Sequence, residues 1–438
     1  MSNLEIGIYS FPALLVMIFL RVPIGLAMFL VGFAGLWMVT GRPNMALARL
    51  KTEAYTTFSN YSLSIVPMFL LMGYFATLGG MSQALFKAAE SWLGHRKGGV
   101  AMAAIGACAG FGAICGSSLA TAATMSRVAL PELKAYGYKG GFSTATLAAG
   151  GTLGILIPPS VVLVIYAILT EQNIAKLFLA AFIPGIMAAI GYMIAIAIYV
   201  RMNPGSAGVR EPVPMAERFR ALIDVWPVLL VFVAVVGGIY GGIFTPTEGA
   251  AVGALGTGLI ALVRGGLTPR TLMDSFTDTA RSTAMIFFIV LGAAFYNGFL
   301  ALTQVPQTLS ALVVEQGFAP LTVLCVILLL YLVFGCFMDS LSMILLTVPI
   351  FFPVISALDF GMTVEHVAIW FGILVLIVVE VGLITPPVGM NLFVINAMDP
   401  ATPMTQTYRA VIYYVASDLV RVVILVAFPA ITLFLLPG

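Results

Sequence analysis

Charge is what this chain has least of. Only 9% of its 438 residues are Asp, Glu, Lys or Arg, against about 25% in an ordinary soluble domain. So few polar side chains cannot clothe a water-facing surface, and 61% of the chain is apolar. The composition is that of an integral membrane protein and excludes a soluble enzyme. The 20 basic and 18 acidic residues leave a net charge of +2, so bulk charge points to no nucleic-acid or acidic partner. Histidine is nearly absent: His95 and His366 are the whole complement, which leaves little scope for imidazole metal sites or acid–base chemistry. The four cysteines, Cys108, Cys115, Cys325 and Cys336, all lie in apolar stretches and none is spaced Cys-x-x-Cys. That predicts buried small hydrophobes, not disulfides or metal ligands. The first apolar run follows Glu5 with no basic residues before it, so no cleaved signal peptide is expected. The motifs of an ATPase phosphate loop, of a His-Glu-x-x-His metalloprotease, of a Gly-x-Gly-Asp intramembrane protease and of a Thr-Val-Gly-Tyr-Gly channel filter are all missing.

What the chain has instead is a series of long apolar runs, near 11–40, 62–80, 100–130, 143–170, 177–200, 226–263, 283–303, 321–357, 368–398 and 411–436. A crossing takes about 20 residues, so several runs are too long for one helix. The expectation is an all-α polytopic fold of roughly 10 to 12 crossings, some made from pairs of half-length helices. The polar connectors are short. Residues 201–224 carry Arg201, Arg210, Arg218 and Arg220, and residues 264–281 carry Arg264, Arg270 and Arg281. Arginine excess in short loops marks the cytoplasmic side, and the run between them, 226–263, is long enough to go out and return.

The two halves of the chain resemble each other. Gly154-Ile-Leu-Ile-Pro-Pro-Ser160 recurs as Gly382-Leu-Ile-Thr-Pro-Pro-Val388, 228 positions on. Ser118-Leu119 with Pro131 lines up with Ser340-Leu341 and Pro353 at an offset of 222. Leu70-Leu-Met-Gly73 pairs with Ile289-Val-Leu-Gly292 at 219, and Pro12-Ala-Leu-Leu-Val16 with Pro227-Val-Leu-Leu-Val231 at 215. The expected organisation is a first repeat, 1–210, and a second, 211–438. Each holds scaffold helices, a hairpin (near 101–130 and 321–357) and a broken helix (near 143–170 and 368–398). Duplicated membrane proteins with helices interrupted at matching places read as secondary transporters, commonly with inverted repeats.

Proline lacks an N–H and crowds the carbonyl four residues earlier. Pro158 and Pro159 therefore free the carbonyls of Gly154 and Ile155, and Pro386 and Pro387 those of Gly382 and Leu383. A bare carbonyl in hydrocarbon survives only where protein, water or an ion satisfies it, and Na⁺ takes such oxygens. The alternative is a pair of ordinary proline kinks. In 101–126, small residues surround Gly116-Ser117-Ser118. A turn glycine followed by N-cap residues describes two short helices meeting at a tip, the second pointing its dipole and free N–H groups at an anion. One straight, tightly packed helix is the other reading. The second-half counterpart is Gly335-Cys-Phe-Met-Asp-Ser-Leu-Ser342. Asp339 there is an intramembrane carboxylate, suited to ligating a cation, to hydrogen-bonding a substrate hydroxyl, or simply to capping the next helix. Glu380 stands six residues before the second Pro-Pro step and serves that site or pairs with an arginine. Glu248 reads as a helix cap, Asp418 with Arg421 as a structural ion pair, and Arg127 as a snorkelling residue.

These residues resemble a known family. Gly116-Ser-Ser118, Pro131-Glu-Leu-Lys with Gly137-Tyr138, Gly150-Gly-Thr-Leu-Gly-Ile-Leu-Ile-Pro-Pro-Ser160, Thr245-Pro-Thr-Glu248 and Thr385-Pro-Pro-Val-Gly-Met-Asn391 are similar to the large membrane subunit of tripartite ATP-independent periplasmic (TRAP) transporters. The resemblance implies an elevator-type, Na⁺-coupled importer of small organic acids in the bacterial inner membrane, not an enzyme. It implies a periplasmic substrate-binding protein and a small membrane subunit as partners. Because the first repeat opens at Pro12, that subunit is expected on a separate chain. It also implies two or more Na⁺ ions. Ser117, Ser118 and Ser160 look like residues near one sodium site and the substrate, with Asp339, Thr385 and Asn391 as second-half counterparts. Together with the broken-helix argument this makes Ser117, Ser118, Ser160, Asp339, Ser340 and Asn391 the expected substrate contacts. The expected Na⁺ set is Ser117, Gly154, Ile155, Pro158, Asp339, Gly382, Leu383 and Thr385. The runner-up is a stand-alone Na⁺/anion symporter of related fold that needs no binding protein.

Overall fold

A computed structural model of the protein describes residues 2–436. Among them every regular element is helical. The first half runs α1 (Asn3–Phe19), α2 (Ile24–Thr40), α3 (Pro43–Phe58), α4 (Ile65–Leu78), α5 (Met81–Leu93), α6 (Gly99–Cys115), α7 (Ser118–Ala135), α8 (Gly140–Leu156), α9 (Val161–Thr170) and α10 (Ile174–Met202). The second runs α11 (Met215–Ile223), α12 (Trp226–Phe232), then through a π turn into α13 (Gly238–Tyr240), α14 (Pro246–Val263), α15 (Pro269–Thr303), α16 (Val305–Glu315), α17 (Pro320–Gly335), α18 (Ser340–Ser356), α19 (Val364–Gly382), α20 (Met390–Met398), α21 (Met404–Ala427) and α22 (Pro429–Leu433). The expected hairpins are α6–α7 and α17–α18. The expected broken helices are α8–α9, bent by 44°, and α19–α20; the Pro158-Pro159 and Pro386-Pro387 peptide bonds are both cis.

The halves pack reciprocally. Helix α2 lies on α15 while its counterpart α14 lies on α4; α9 lies on α18 while its counterpart α20 lies on α7; α10 touches α19 and its counterpart α21 touches α8. Such exchange of equivalent partners is the signature of a two-fold relation between repeats. At the centre are α8 and α19, with every residue from Gly141 to Leu156 and from Val367 to Gly382 buried. A helix apolar on all sides belongs in a core, and these two carry the Pro-Pro breaks at their ends.

Each hairpin meets its broken helix backbone to backbone. A methyl on Gly112 would stand 2.6 Å from the Cα of Gly154, and one on Gly382 would stand 2.6 Å from the carbonyl carbon of Gly335. The glycines are therefore matched contacts between hairpin and break in both repeats, as small-residue faces allow in membranes.

Some expectations need correction. The run 11–40 is two helices, because residues 20–23 hold Arg21 at φ 67° and Pro23 ahead of α2. Residues 264–281 are not a loop: α15 begins at Pro269, capped by Thr268. Its first turns are amphipathic, with Arg270, Asp274, Asp278 and Arg281 exposed and Ser275 and Thr279 buried, so Arg270 and Arg281, which suggested a connector, stand on the outside of a helix. Cys325 is exposed, unlike the other three cysteines. Six helices are long and apolar enough to cross alone, and two bent pairs raise this to eight. Adding α1 and α2, of 17 residues each, gives ten. The two arginine-rich connectors do meet, because Arg264 donates to the carbonyl of Asp224 at 3.3 Å and to that of Gly79 at 3.0 Å.

Gly382→Ala is expected to wedge the second hairpin from its broken helix at about 1–3 kcal/mol, read as a lowered melting temperature of the purified protein. Gly256→Ala, whose methyl meets only Val231 at 3.4 Å, is the control and is expected to leave melting unchanged.

Candidate functional site between the hairpin tips

The local sequence explains both tips. In the first, Gly116 adopts φ 64° and turns the chain, and Ser117 caps α7 by accepting from the Ala120 amide at 3.4 Å. In the second, Asp339 caps α18 by accepting from the Ser342 amide at 3.0 Å. Caps of this kind satisfy only the third amide of a helix. The amides of Ser118 and Leu119, and of Ser340 and Leu341, are left with no acceptor among the described residues. All four residues line one cavity of about 130 Å³, together with Ser117, Asp339, Ile155 and Leu383. Leu70 of α4 and Met285 and Ile286 of α15 close it from the other side.

The structure thus gathers Ser117, Ser118, Asp339, Ser340, Ile155 and Leu383 around one space. It places the remaining expected residues behind it. Ser160 is fully buried and caps α9, accepting from the Leu163 amide at 3.3 Å. Asn391 is fully buried, donates from Nδ2 to the Ala148 carbonyl at 3.3 Å, and has no partner for Oδ1. The Thr385 hydroxyl donates to the Val381 carbonyl at 2.6 Å. Gly154, Pro158 and Gly382 sit at the breaks without lining the cavity.

The two breaks differ. No donor reaches the carbonyls of Gly154 and Ile155 among the described residues. In the second repeat the expectation of freed carbonyls fails. Gly382 accepts from the Thr385 amide at 3.0 Å and Leu383 from the Asn391 amide at 3.1 Å, because the helix end tightens into a three-residue turn before Pro386 and the chain then doubles back after Pro387 to bring Asn391 to the break. As a place for an oxygen-seeking cation, the first break fits on its two bare carbonyls. The second offers second lone pairs there and, nearby, the carboxylate of Asp339.

By spacing alone, Glu380 serves either this site or an arginine partner. It takes hydroxyls: its Oε1 accepts from Ser340 at 2.5 Å and from Ser118 at 3.4 Å, one from each hairpin tip, and Oε2 has no partner. Nothing in the spacing of residues 118, 340 and 380 announces that contact. Other pairs hold the surrounding helices. Asp418 and Arg421 form the expected buried ion pair at 2.8 Å, and Asp418 also accepts from Tyr192, which meets Thr152 of α8 at 2.9 Å. Thr146 meets Tyr414 at 2.6 Å. Outside the spans, Asp399 at the end of α20 holds Lys134 of α7 at 2.7 Å. Burial pushes its carboxyl up, but the Lys134 and Thr402 bonds outweigh this and hold it below the usual range. Glu248 forms the expected capping box with Thr245, and its carboxyl is lowered by the Thr245 amide.

A duplicated helical membrane chain whose two re-entrant tips aim free amides at one small cavity has the architecture of a multi-pass membrane transporter. Residues 11–431 match the family described as Tripartite ATP-independent periplasmic transporter, DctM component, and the chain belongs to that family; it is a transporter component and not an enzyme. It is similar to the C4-dicarboxylate TRAP transporter large permease protein DctM of Pseudomonas aeruginosa, 37% identical over 88% of both chains. It is also similar to the sialic acid TRAP transporter large permease protein SiaM of Vibrio cholerae, 31% identical over 96% of both. The solved structure of the YdaH transporter of Alcanivorax borkumensis shares the fold, with a TM-score of 0.64 over 90% of each chain at 14% identity.

Arg421→Leu leaves Asp418 charged and unpaired in the interior, at a cost of about 3–5 kcal/mol. Melting is expected to fall sharply, and Asp418→Asn in the same chain is expected to restore most of it. A double variant no more stable than Arg421→Leu would mean that the pair is not what holds α21.

Proposed function

We propose that this chain is the large membrane subunit of a Na⁺-coupled secondary importer that moves a small organic acid across the bacterial inner membrane. The observation that carries the reading is the cavity between the hairpin tips. Four unpartnered amides at two helix N-termini are donors for an anionic group. Asp339 and the bare carbonyls at Gly154 and Ile155 are oxygens for a hard cation. A carboxylate brought alone against Asp339 is repelled; with a cation between them the same geometry attracts it. Ion and acid therefore stabilise each other's binding, which is the requirement of symport. Sodium is cargo, held by Asp339 and Ser117 in one group and by the Gly154 and Ile155 carbonyls in the other.

The substrate class follows from the donors. They suit a small anion, and the names of relatives specify C4-dicarboxylate, isethionate and sialic acid, all of them anionic. We infer that the acid arrives from a periplasmic substrate-binding protein, and that a small membrane subunit is supplied as a separate chain. One relative, the permease named DctMQ, is longer, and this chain spans 65% of it. The reciprocal packing supports two inverted repeats, 1–210 and 211–438. With the hairpin entering and leaving on one side, the first repeat crosses by α1, α2, α4, α8–α9 and α10, an odd number that starts the second repeat on the opposite face. Hairpins and broken helices then move as one body past α2, α4, α14 and α15, the elevator arrangement.

The test is uptake into liposomes that hold this chain, a cognate small subunit and a binding protein. A sodium gradient is expected to drive accumulation of a C4-dicarboxylate or another small acid, and uptake without sodium would contradict the reading. Asp339→Ala is expected to abolish sodium-driven uptake while the protein remains folded in the membrane; normal uptake would remove Asp339 from the site. Pro158→Ala with Pro159→Ala returns amide donors to Gly154 and Ile155. It is expected to raise the sodium concentration for half-maximal uptake by about tenfold. An unchanged value leaves those prolines as simple kinks.

A further inference from the structure

Glu380 is 1% exposed, carried on the broken helix of the second repeat, and touches the tips of both hairpins. Ser118 opens α7 and Ser340 opens α18, and both hydroxyls donate to the same Oε1. A serine hydroxyl has one proton and two lone pairs. Once the proton is committed to Glu380, the oxygen can only accept on its remaining side. Both serines also line the cavity.

We propose that Glu380 is a positioning residue that ties the two hairpin tips to each other and turns the Ser118 and Ser340 oxygens toward the cavity as acceptors for a cation. This rests on the reading of the cavity as a sodium and organic-acid site, and it sharpens the division of labour there. The serine hydroxyls are not donors to the substrate carboxylate. That anion is left to the amides of Ser118, Leu119, Ser340 and Leu341, while the serine oxygens join Asp339 on the cation side. The same bond makes the tips mechanically dependent on one another: one carboxylate in the second repeat spans 262 positions of chain to Ser118 and 40 to Ser340. Among the described residues no equivalent bond comes from the first repeat, where Thr152 occupies the corresponding place and its hydroxyl turns to the Ala149 carbonyl and Tyr192. The latch is single and asymmetric, so loss of Glu380 has no built-in substitute.

The experiment compares Glu380→Leu with Glu380→Gln in the full complex. In a background without native cysteines, spin labels at Ala120 and Phe337, both exposed, report the separation of the tips. The wild type and Glu380→Gln, which keeps an oxygen acceptor, are expected to share one narrow distance distribution, and Glu380→Leu to broaden it. In uptake, Glu380→Leu is expected to raise half-saturating sodium by about tenfold or more, the loss of two hydrogen bonds that orient cation ligands. The KM for the acid at saturating sodium is expected to change much less, and Glu380→Gln to rescue most of the sodium effect. A Glu380→Leu distance distribution like that of the wild type would overturn the latch. So would equal effects of the Leu and Gln variants on sodium. Should Glu380→Leu fail to accumulate, Ser118→Ala with Ser340→Ala removes the two donors and is read on the tip distances alone, an unbroadened distribution overturning the latch. The distance measurement does not require transport. If the wild type shows no sodium-driven uptake, the functional reading fails while the latch is still judged on the distances.

Discussion

Within hydrocarbon a peptide carbonyl has no water to turn to, and leaving one bare costs several kcal/mol. The rest of this structure depends on that constraint. Two Pro-Pro steps end the two most buried helices, and each is met by a hairpin from its own repeat, through glycines that admit backbone contact. The second break satisfies its carbonyls internally by returning the amides of Thr385 and Asn391. The first does not, and its Gly154 and Ile155 oxygens are left without a donor among the described residues. One solution closes the helix end and the other leaves chemistry available.

The same economy governs the charged groups. Charges inside the protein are few, and the pair at Asp418 and Arg421 is neutralised in place while Tyr192 and Thr152 extend its hydrogen bonds to α8. Asp339 is different. It lines the cavity beside amides that favour anions, and in the proposed function a cation reconciles the two. Under the proposed function, coupling between ion and acid follows from electrostatics at one site, with no long-range relay required. Glu380 adds the mechanical part by joining the two tips that form the site.

Much of this was legible in residue order, because proline, glycine and intramembrane acids have strong and local consequences. The duplicated Gly-x-x-x-Pro-Pro steps located both broken helices, Gly116-Ser117 located a turn and cap, and Asp418 with Arg421 declared a pair by spacing alone. What stayed hidden depended on distant partners or on context. The start of α15 reads as a loop from the arginines of 264–281, although Arg270 and Arg281 are exposed residues of a helix that buries Ser275 and Thr279. The satisfied carbonyls of Gly382 and Leu383 depend on where the chain goes after the break. The meeting of Ser118, Ser340 and Glu380 joins three helices from both repeats, and no periodicity encodes it.

The central claim is that the two hairpin tips share one ligand site built from both repeats. The most direct measurement is an experimental structure of the complex with sodium and a bound organic acid. The account predicts the carboxylate against the amides of Ser118, Leu119, Ser340 and Leu341, with a cation between it and Asp339. Acid bound away from both tips, for instance in the apolar groove of α10 and α21 lined by Ile194 and Val420, would contradict it.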